Sequence, residues 1–570
     1  MTQINLPFKD LGTTMTYLES PTLIPQTTVS STVAGVVASR AGHVFGLMGN
    51  GNAHLVSHLT EAGVGFTSAR HETATVAMAD AYYRATGIAA AATTTYGAGF
   101  ANAYTALTEA RLARIPLVLI VGDAPTTGRR AFDIDQTAAS AAAGVTTLTV
   151  SDTNAAAMTH HAFDLALRNF QPVVLAIPYD LANSGLAVNA VAPIHLPIKP
   201  RWGASPDELD RAAAILSTAK KPLILAGRGV LLDDAAQALT DLGDRLGALF
   251  MTSVMATNVI DSPWNLGIAG GFTRTHRLAV AQEADVVLVA GASLNSFQTR
   301  YGTLFGAKAQ VIRLDNEPEA SHPQVSEYLR TELRQGLGEL TRRVPHARAE
   351  ETWRSSAQLV TTEKFRDAAP VEDPLEFGTD GRLNPRAVVA ALEDILPADR
   401  SIVMDGGHFM GWAPMYLSAP DPHGMILVGT AFQSIGLGFG SAAGVSVAKP
   451  DRLTVFVTGD GGGLMGLADM ETFLRVTKRG VIIVLNDSAY GAELHQYASK
   501  GLDPTAMLID EVDFAALGRA MGAQGTKAHT LADLEVLADW IAHEEDGVFV
   551  LDAAISQKVV IEYMKAALSA

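Results

Sequence analysis

The sequence predicts an α/β protein built from three doubly wound parallel-sheet domains. Short apolar runs rich in β-branched residues alternate with Ala-rich helical stretches along almost the whole chain. Each run is bounded by Gly, Pro or Asp and is apolar throughout, as strands buried on both faces are. At 570 residues the chain also exceeds what one core organises.

The expected strands are, in order, Pro116–Val121, Val173–Ile177, Pro222–Ala226, Asp285–Ala290, Val311–Leu314, Ile402–Met404, Leu453–Val457, Val481–Leu485 and Val548–Leu551. Two stretches break the rhythm: the proline-rich His195–Pro206, and Pro345–Pro385 with its scattered charges. Read as linkers, they divide the chain into domains 1–190, 200–345 and 380–570. Ligands of doubly wound sheets sit beyond the carboxyl ends of the strands, which is where functional residues are sought.

Composition narrows the classes. Charged residues are 18%, and 42 Lys+Arg against 59 Asp+Glu give −17, which argues against nucleic acid or an anionic membrane as partner. With no cysteine there is no disulfide, thiol nucleophile or Cys-ligated metal. Met1–Ser20 lacks the basic start and apolar run of a signal peptide, and no run approaches the roughly 20 apolar residues of a membrane span. A cytoplasmic enzyme is the expectation.

The most informative segment is Leu453–Tyr490, in which a strand enters a Gly-rich turn at Asp460. A helix is expected from about Leu467 to Thr477, closed by Gly480, before a second strand that ends at Asn486-Asp487. Parallel strand–helix–strand connection puts Asp460 and Asp487 at one sheet edge. Two hard oxygen ligands there suit Mg²⁺, which draws its other oxygens from water and phosphates. Backbone N–H groups of the glycines can approach a phosphate closely. The same residues also spell G-x-G-x-x-G (Gly461, Gly463, Gly466), with an acid 24 positions beyond Gly463 (487 − 463). An NAD-dependent dehydrogenase is therefore the alternative from a different class, although Asp460 would repel a bare pyrophosphate.

The spacing from Asp460 to Asp487 (487 − 460 = 27), with GDGG at one end and Asn-Asp before an aromatic-Gly at the other, resembles the fingerprint of thiamine-diphosphate enzymes. The relevant superfamily holds acetolactate synthases, pyruvate decarboxylases and benzaldehyde lyases. The resemblance implies that Asp460, Asp487 and the carbonyl of Ala489 bind Mg²⁺, with Gly461 and Gly462 against the diphosphate. Asp487 departs from the usual Asn and adds a negative charge. Arg70-His71-Glu72 and the following Ala-rich stretch to Gly87 are similar to the family's helix whose glutamate meets the cofactor's aminopyrimidine. That contact promotes loss of the thiazolium proton. Taken alone, Glu72 is also a first-turn acid favoured by the helix dipole. Tyr96–Asn102 (YGAGFAN) resembles the family's G-P-G-x-x-N turn, with Ala98 for Pro. The resemblance further places Gly407 and His408 against the diphosphate, and puts Gln433 beside the cofactor. Ile435 becomes the wedge that bends it, and otherwise reads as a core residue between glycines.

Reaction residues are less marked. Phe45–Asn50 resembles a decarboxylase loop with Asn50 for an active-site Asp, while Glu493 and the nearby His495 fall where decarboxylases carry a catalytic Glu. An exposed helix start explains the latter two equally well. Paired histidines of simple decarboxylases are replaced by Arg129-Arg130, read either as a carboxylate site or as solvated cations. Gly267–Arg274 and Gly291–Tyr301 lack the flavin signatures of acetolactate synthases, so no FAD is expected. The reading is a thiamine-diphosphate carboligase or lyase acting on 2-oxo acids or 2-hydroxy ketones. Alternatives within the class are a 2-oxo acid decarboxylase and a diketone hydrolase. The resemblance implies a homodimer or homotetramer with active sites between subunits.

Overall fold

The computed structural model describes residues 27–187, 202–318, 320, 322–346, 352–356 and 375–569. Met1–Ser20 and most of both expected linkers lie outside them.

The fold is three six-stranded, all-parallel sheets in succession. The first holds β1 (Val44–Gly46), β2 (Phe66–Ser68), β3 (Ala90–Thr94), β4 (Leu117–Asp123), β5 (Thr146–Thr149) and β6 (Val173–Pro178), in the order β2-β1-β3-β4-β6-β5. The second holds β7 (Pro222–Ala226), β8 (Leu249–Thr252), β9 (Asn265–Ile268), β10 (Val286–Ala290), β11 (Gln310–Asp315) and β12 (Val325–Arg330), ordered β12-β11-β10-β7-β8-β9. The third returns to the order of the first, β14-β13-β15-β16-β18-β17. Its strands are β13 (Arg400–Met404), β14 (Met425–Leu427), β15 (Leu453–Gly459), β16 (Arg479–Asn486), β17 (Gln524–Ala528) and β18 (Gly547–Ala554). Central strands such as β4, β15 and β16 are buried almost throughout, which explains their unbroken apolar sequences.

Two details differ from the sequence reading. The Gly-rich turn is itself helical over Asp460–Met465, and a further helix runs over Met470–Val476. Gly480 does not close that helix but lies inside β16. A Cβ there would come within 2.8 Å of Thr477 and 3.0 Å of Phe473, so the glycine permits a close strand–helix approach.

The first and third domains pack through α1 (Glu72–Thr86) and α2 (Gly438–Ala448). Ala74, Ala77, Met78 and Ala81 are buried with Phe439, Ala442 and Ala443 in one apolar cluster. A Cβ on Gly444 would stand 2.4 Å from the Met78 carbonyl oxygen, so only glycine admits this approach. His71 starts α1 by accepting from the Thr73 amide (3.3 Å), and Gly87 (φ 73°) ends it in the left-handed region. The packing is reinforced by a buried Asp80–Arg84 pair, whose guanidinium also donates to the Leu427 carbonyl at 3.1 Å.

Candidate functional site

The site is assembled at the carboxyl ends of the strands. Gly459 of β15 pairs with Leu485 of β16, so the residues that follow, Asp460 and Asp487, emerge side by side. Both are buried, 2% and 6% exposed. Burial raises the Asp460 carboxyl to about 6, against hydrogen bonds from the backbone amides of Gly461 and Ala489. Asp487 is pushed well above the carboxylate range, first by burial and then by the charge of Asp460. Asp460 Oδ2 has no hydrogen-bond partner. Two facing carboxylates with an orphaned buried oxygen are only weakly offset by the Arg382 charge, and the donor set is oxygen only. No group of three or more His, Asp or Glu converges among the described residues, so a cation here would complete its shell from backbone, water or a phosphate ligand.

The loop around these acids is held by residues the sequence did not single out. Ser488 has φ 57° and turns the chain between Asp487 and Ala489. Gln557 donates to the Asp487 carbonyl (2.6 Å), and Arg382 donates to the Asn486 carbonyl (2.9 Å). Asn486 is itself fixed, donating to Asp552 and to the Val512 carbonyl, both at 3.0 Å. Ile509 and Tyr490 zip the 488–490 segment to the 507–509 segment through backbone bonds. Asn486 stood in the quoted motif. Gln557 and Arg382 are remote in sequence, and nothing local marks them.

Two further loops enclose this corner. After β13, Asp405 is buried and raised to about 6 by desolvation; it accepts from the amides of Gly406 (2.7 Å) and Gly436 (3.0 Å). It thereby ties the Gly406–His408 loop to the one carrying Gln433 and Ile435. Gln433 sits at φ 57°, and Ile435 stays 36% exposed, which sets it apart from a core isoleucine. A Cβ on Gly462 would stand 2.8 Å from Asp405 and 3.2 Å from Ile435, and one on Gly461 would stand 2.8 Å from the Tyr490 ring. Both glycines are buried, and a side chain at either would collide with these neighbours. Buried Glu109, from the first domain, accepts from the Phe432 amide (2.6 Å) and the Ala431 amide (3.3 Å), positioning the same loop.

His408 is buried and its pKa lowered to about 3 by desolvation, then by His495. Its Nε2 accepts from the Ile561 amide (3.2 Å), which leaves the ring proton on Nδ1. A Cβ on Gly491 would be 2.6 Å from Asp487 Oδ2 and 3.4 Å from His408 Nδ1, so the histidine lies beside the acid pair. His495 packs against His408 with ring centroids 4.6 Å apart. Glu493 is exposed on the first turn of the helix Gly491–Tyr497.

The remaining residues gather on the first sheet. Glu72 begins α1 and accepts from Asn102 Nδ2 at 3.0 Å; a Cβ on Gly99 would be 3.4 Å from its other oxygen. It makes no contact with Asp460 or Asp487 within the chain. A cleft of about 220 Å³ separates its neighbours His71 and Thr73 from Ile435, Gly436 and Met465. Asn50 donates to the Tyr96 hydroxyl at 2.9 Å. Arg130 is engaged by Asp133 at 2.6 Å, which leaves only Arg129 of the pair exposed without such a partner.

Comparison with known proteins decides the family. The chain matches the thiamine pyrophosphate enzyme N-terminal TPP binding domain over residues 27–143, the central domain over 209–329 and the C-terminal TPP binding domain over 405–553. The chain belongs to the thiamine pyrophosphate enzymes. It is 26% identical to the sulfoacetaldehyde acetyltransferase of Castellaniella defragrans over 534 residues, 88% of each chain. Against a probable acetolactate synthase of Mycobacterium bovis it is 29% identical over 512 residues, 87% of this chain and 90% of the relative. Acetolactate synthase isozyme 2 large subunit of Escherichia coli is 26% identical over 525 residues, 90% and 93% of the two chains. The protein is thus a thiamine-pyrophosphate-dependent enzyme of carbon–carbon chemistry, and the dehydrogenase alternative falls. Among the described residues no helix is long and apolar enough to cross a membrane.

Proposed function

We propose that the enzyme is a carboligase or lyase acting on 2-oxo acids or 2-hydroxy ketones, similar in build to acetolactate synthases, and that it uses Mg²⁺. The observation that carries the metal reading is the buried Asp460–Asp487 pair, with raised pKa values and an unpartnered oxygen. Together with the Ala489 carbonyl they would hold the ion, and the backbone of Gly461 and Gly462 would approach a diphosphate. Nδ1–H of His408 and the Gly407 and Gln433 turns face the same corner, and Ile435 is the exposed apolar wedge. When bound, thiamine diphosphate supplies an electron sink at the carbon of a donor carbonyl.

Glu72 holds or gives a proton at the cofactor's pyrimidine side, with Asn102 fixing one of its oxygens. Glu493 and His495 would move protons later in the cycle, from the first and last turns of the helix Gly491–Tyr497. Asn50 is neutral and already bonded to Tyr96, so its role is to orient rather than protonate. Glu72 and the acid pair do not meet within one chain, which supports a homodimer or homotetramer whose partner completes each site. The names of the relatives support two-carbon transfer or acetolactate formation as the nearest chemistry. The central loops do not carry the flavin signatures, and we assign no FAD.

The test is calorimetry on metal-stripped protein with thiamine diphosphate, with and without Mg²⁺. Tight binding that needs Mg²⁺ is expected. Binding indifferent to Mg²⁺ would remove the metal from Asp460 and Asp487.

A further inference from the structure

The first sheet carries a second constellation on the edge that holds Glu72. Asn50 follows β1, Tyr96 follows β3, Arg130 and Phe132 follow β4, and Tyr179 directly follows β6. Four loops separated by up to 129 residues of sequence (179 − 50) therefore converge at the ligand-binding edge of a doubly wound sheet. Arg130 is boxed by three rings: its Cζ lies 4.1 Å from the Tyr96 centroid, 4.7 Å from Tyr179 and 4.8 Å from Phe132. Tyr96 and Phe132 stack at 5.7 Å with 19° between planes, and Tyr179 meets Tyr96 edge-on at 5.9 Å.

Charge and exposure give this wall its character. Asp133 takes the Arg130 guanidinium through two nitrogens, Nη2 at 2.6 Å and Nε at 3.1 Å. The cation is therefore neutralised and serves to stiffen the rings, not to capture a substrate anion. Yet Phe132 is 60% exposed and Tyr179 40%, so apolar ring surface is left facing outward. The Tyr96 hydroxyl accepts from Asn50. Its single proton is then left to donate, and no described residue takes it.

We infer that this wall selects the substrate: a 2-oxo acid or ketone bearing a planar, uncharged aromatic group, stacked on Phe132 and Tyr179, with one oxygen receiving the Tyr96 proton. Offset stacking on an exposed ring favours a flat π-system over a small aliphatic one. The hydroxyl supplies the one directional contact that a mainly apolar pocket needs. Asn50 is then a positioning residue acting through Tyr96. This rests on the function proposed above.

The experiment titrates the enzyme loaded with thiamine diphosphate and Mg²⁺ with benzoylformate and with pyruvate, by calorimetry, after cofactor binding has been verified in the same preparation. Benzoylformate is expected to bind at least about tenfold more tightly. Phe132→Ala should erase that preference, and Tyr96→Phe, which keeps the ring, should weaken benzoylformate about tenfold. Equal or inverted affinities, binding of neither probe, or a preference that survives Phe132→Ala would overturn the inference while the cofactor reading stood. Failure of the cofactor to bind at all would instead sink the preceding proposal.

Discussion

The first and third sheets run their strands in the same order, yet they finish them in opposite chemistry. Beyond β13, β15 and β16 the third sheet buries three carboxylates, Asp405, Asp460 and Asp487, in glycine-lined loops. The first sheet leaves an open aromatic rim, with Glu72 and Asp123 half-buried and Asp133 paired with Arg130. Since topology is shared, the difference lies wholly in the loops. One edge is built to confine charge and the other to present flat apolar surface. Two halves of this kind suit a cofactor with a charged end and a reactive ring.

The largest expected effect tests the charge-confining edge. Asp460→Ala removes one of two hard ligands, and Mg²⁺-dependent thiamine diphosphate binding should be abolished in a calorimetric titration. Unchanged binding would erase the distinction between the edges. Next comes the open edge. Glu72→Gln should leave cofactor affinity near that of the wild type while turnover falls by about two orders of magnitude, the scale of a lost acid–base contact. A variant that loses affinity but keeps its rate once saturated would make Glu72 a binding residue instead.

Asp487→Asn sharpens the comparison from the other side. Burial and the Asp460 charge both oppose ionisation of Asp487, so the metal-free protein stores repulsion there. Removing the charge while keeping the shape should raise the thermal midpoint of the metal-free enzyme, by about 1 °C for each kcal/mol relieved in a chain of 570 residues. The added stabilisation by Mg²⁺ should shrink, because one anionic ligand is gone. A lower midpoint without metal would mean that the pair is not under electrostatic strain.

Much of this architecture was legible. Strands buried on both faces, such as Pro222–Ala226 and Val286–Ala290, are unbroken apolar runs and stand out without any partner in view. Strands of other kinds were silent. Ala90–Thr94 (AAATT) reads as helix by its alanines and becomes a strand only between β1 and β4. Thr146–Thr149 and Gln524–Ala528 are polar edge strands with partly exposed faces. In the site, Asp460, Asp487 and Glu72 sat in recognisable spacings. Glu109, Gln557 and Arg382 act on loops 322, 70 and 104 residues away, and only the fold brings them there. Arg130 was ambiguous alone: beside Arg129 it read either as part of a carboxylate site or as a solvated cation until Asp133 and the rings were placed around it.

The smallest effect concerns pH and separates the same two domains. His43 precedes β1, packs against Phe45 at 4.7 Å, and is held at about 4 by burial. It stays neutral in the folded protein, whereas the unfolded chain takes up a proton near 6.5. Its contribution is therefore fully present above about 6.5 and is lost as the pH falls toward 4. Asp405 and Asp460 run the other way. Their folded values near 6 exceed the ordinary 3.8, so acidification from 6 to 4 favours the folded third domain through both and outweighs the opposite effect of His408. Hydrogen exchange at pH 7 and pH 5 should show protection falling in peptides from β1 and β3 while those from β13 and β15 hold or gain. In His43→Gln the loss in the first sheet should largely vanish, because no imidazole remains to be charged. Equal acid responses in both sheets would mean that the two edges, however differently built, answer to one cooperative unit through α1 and α2.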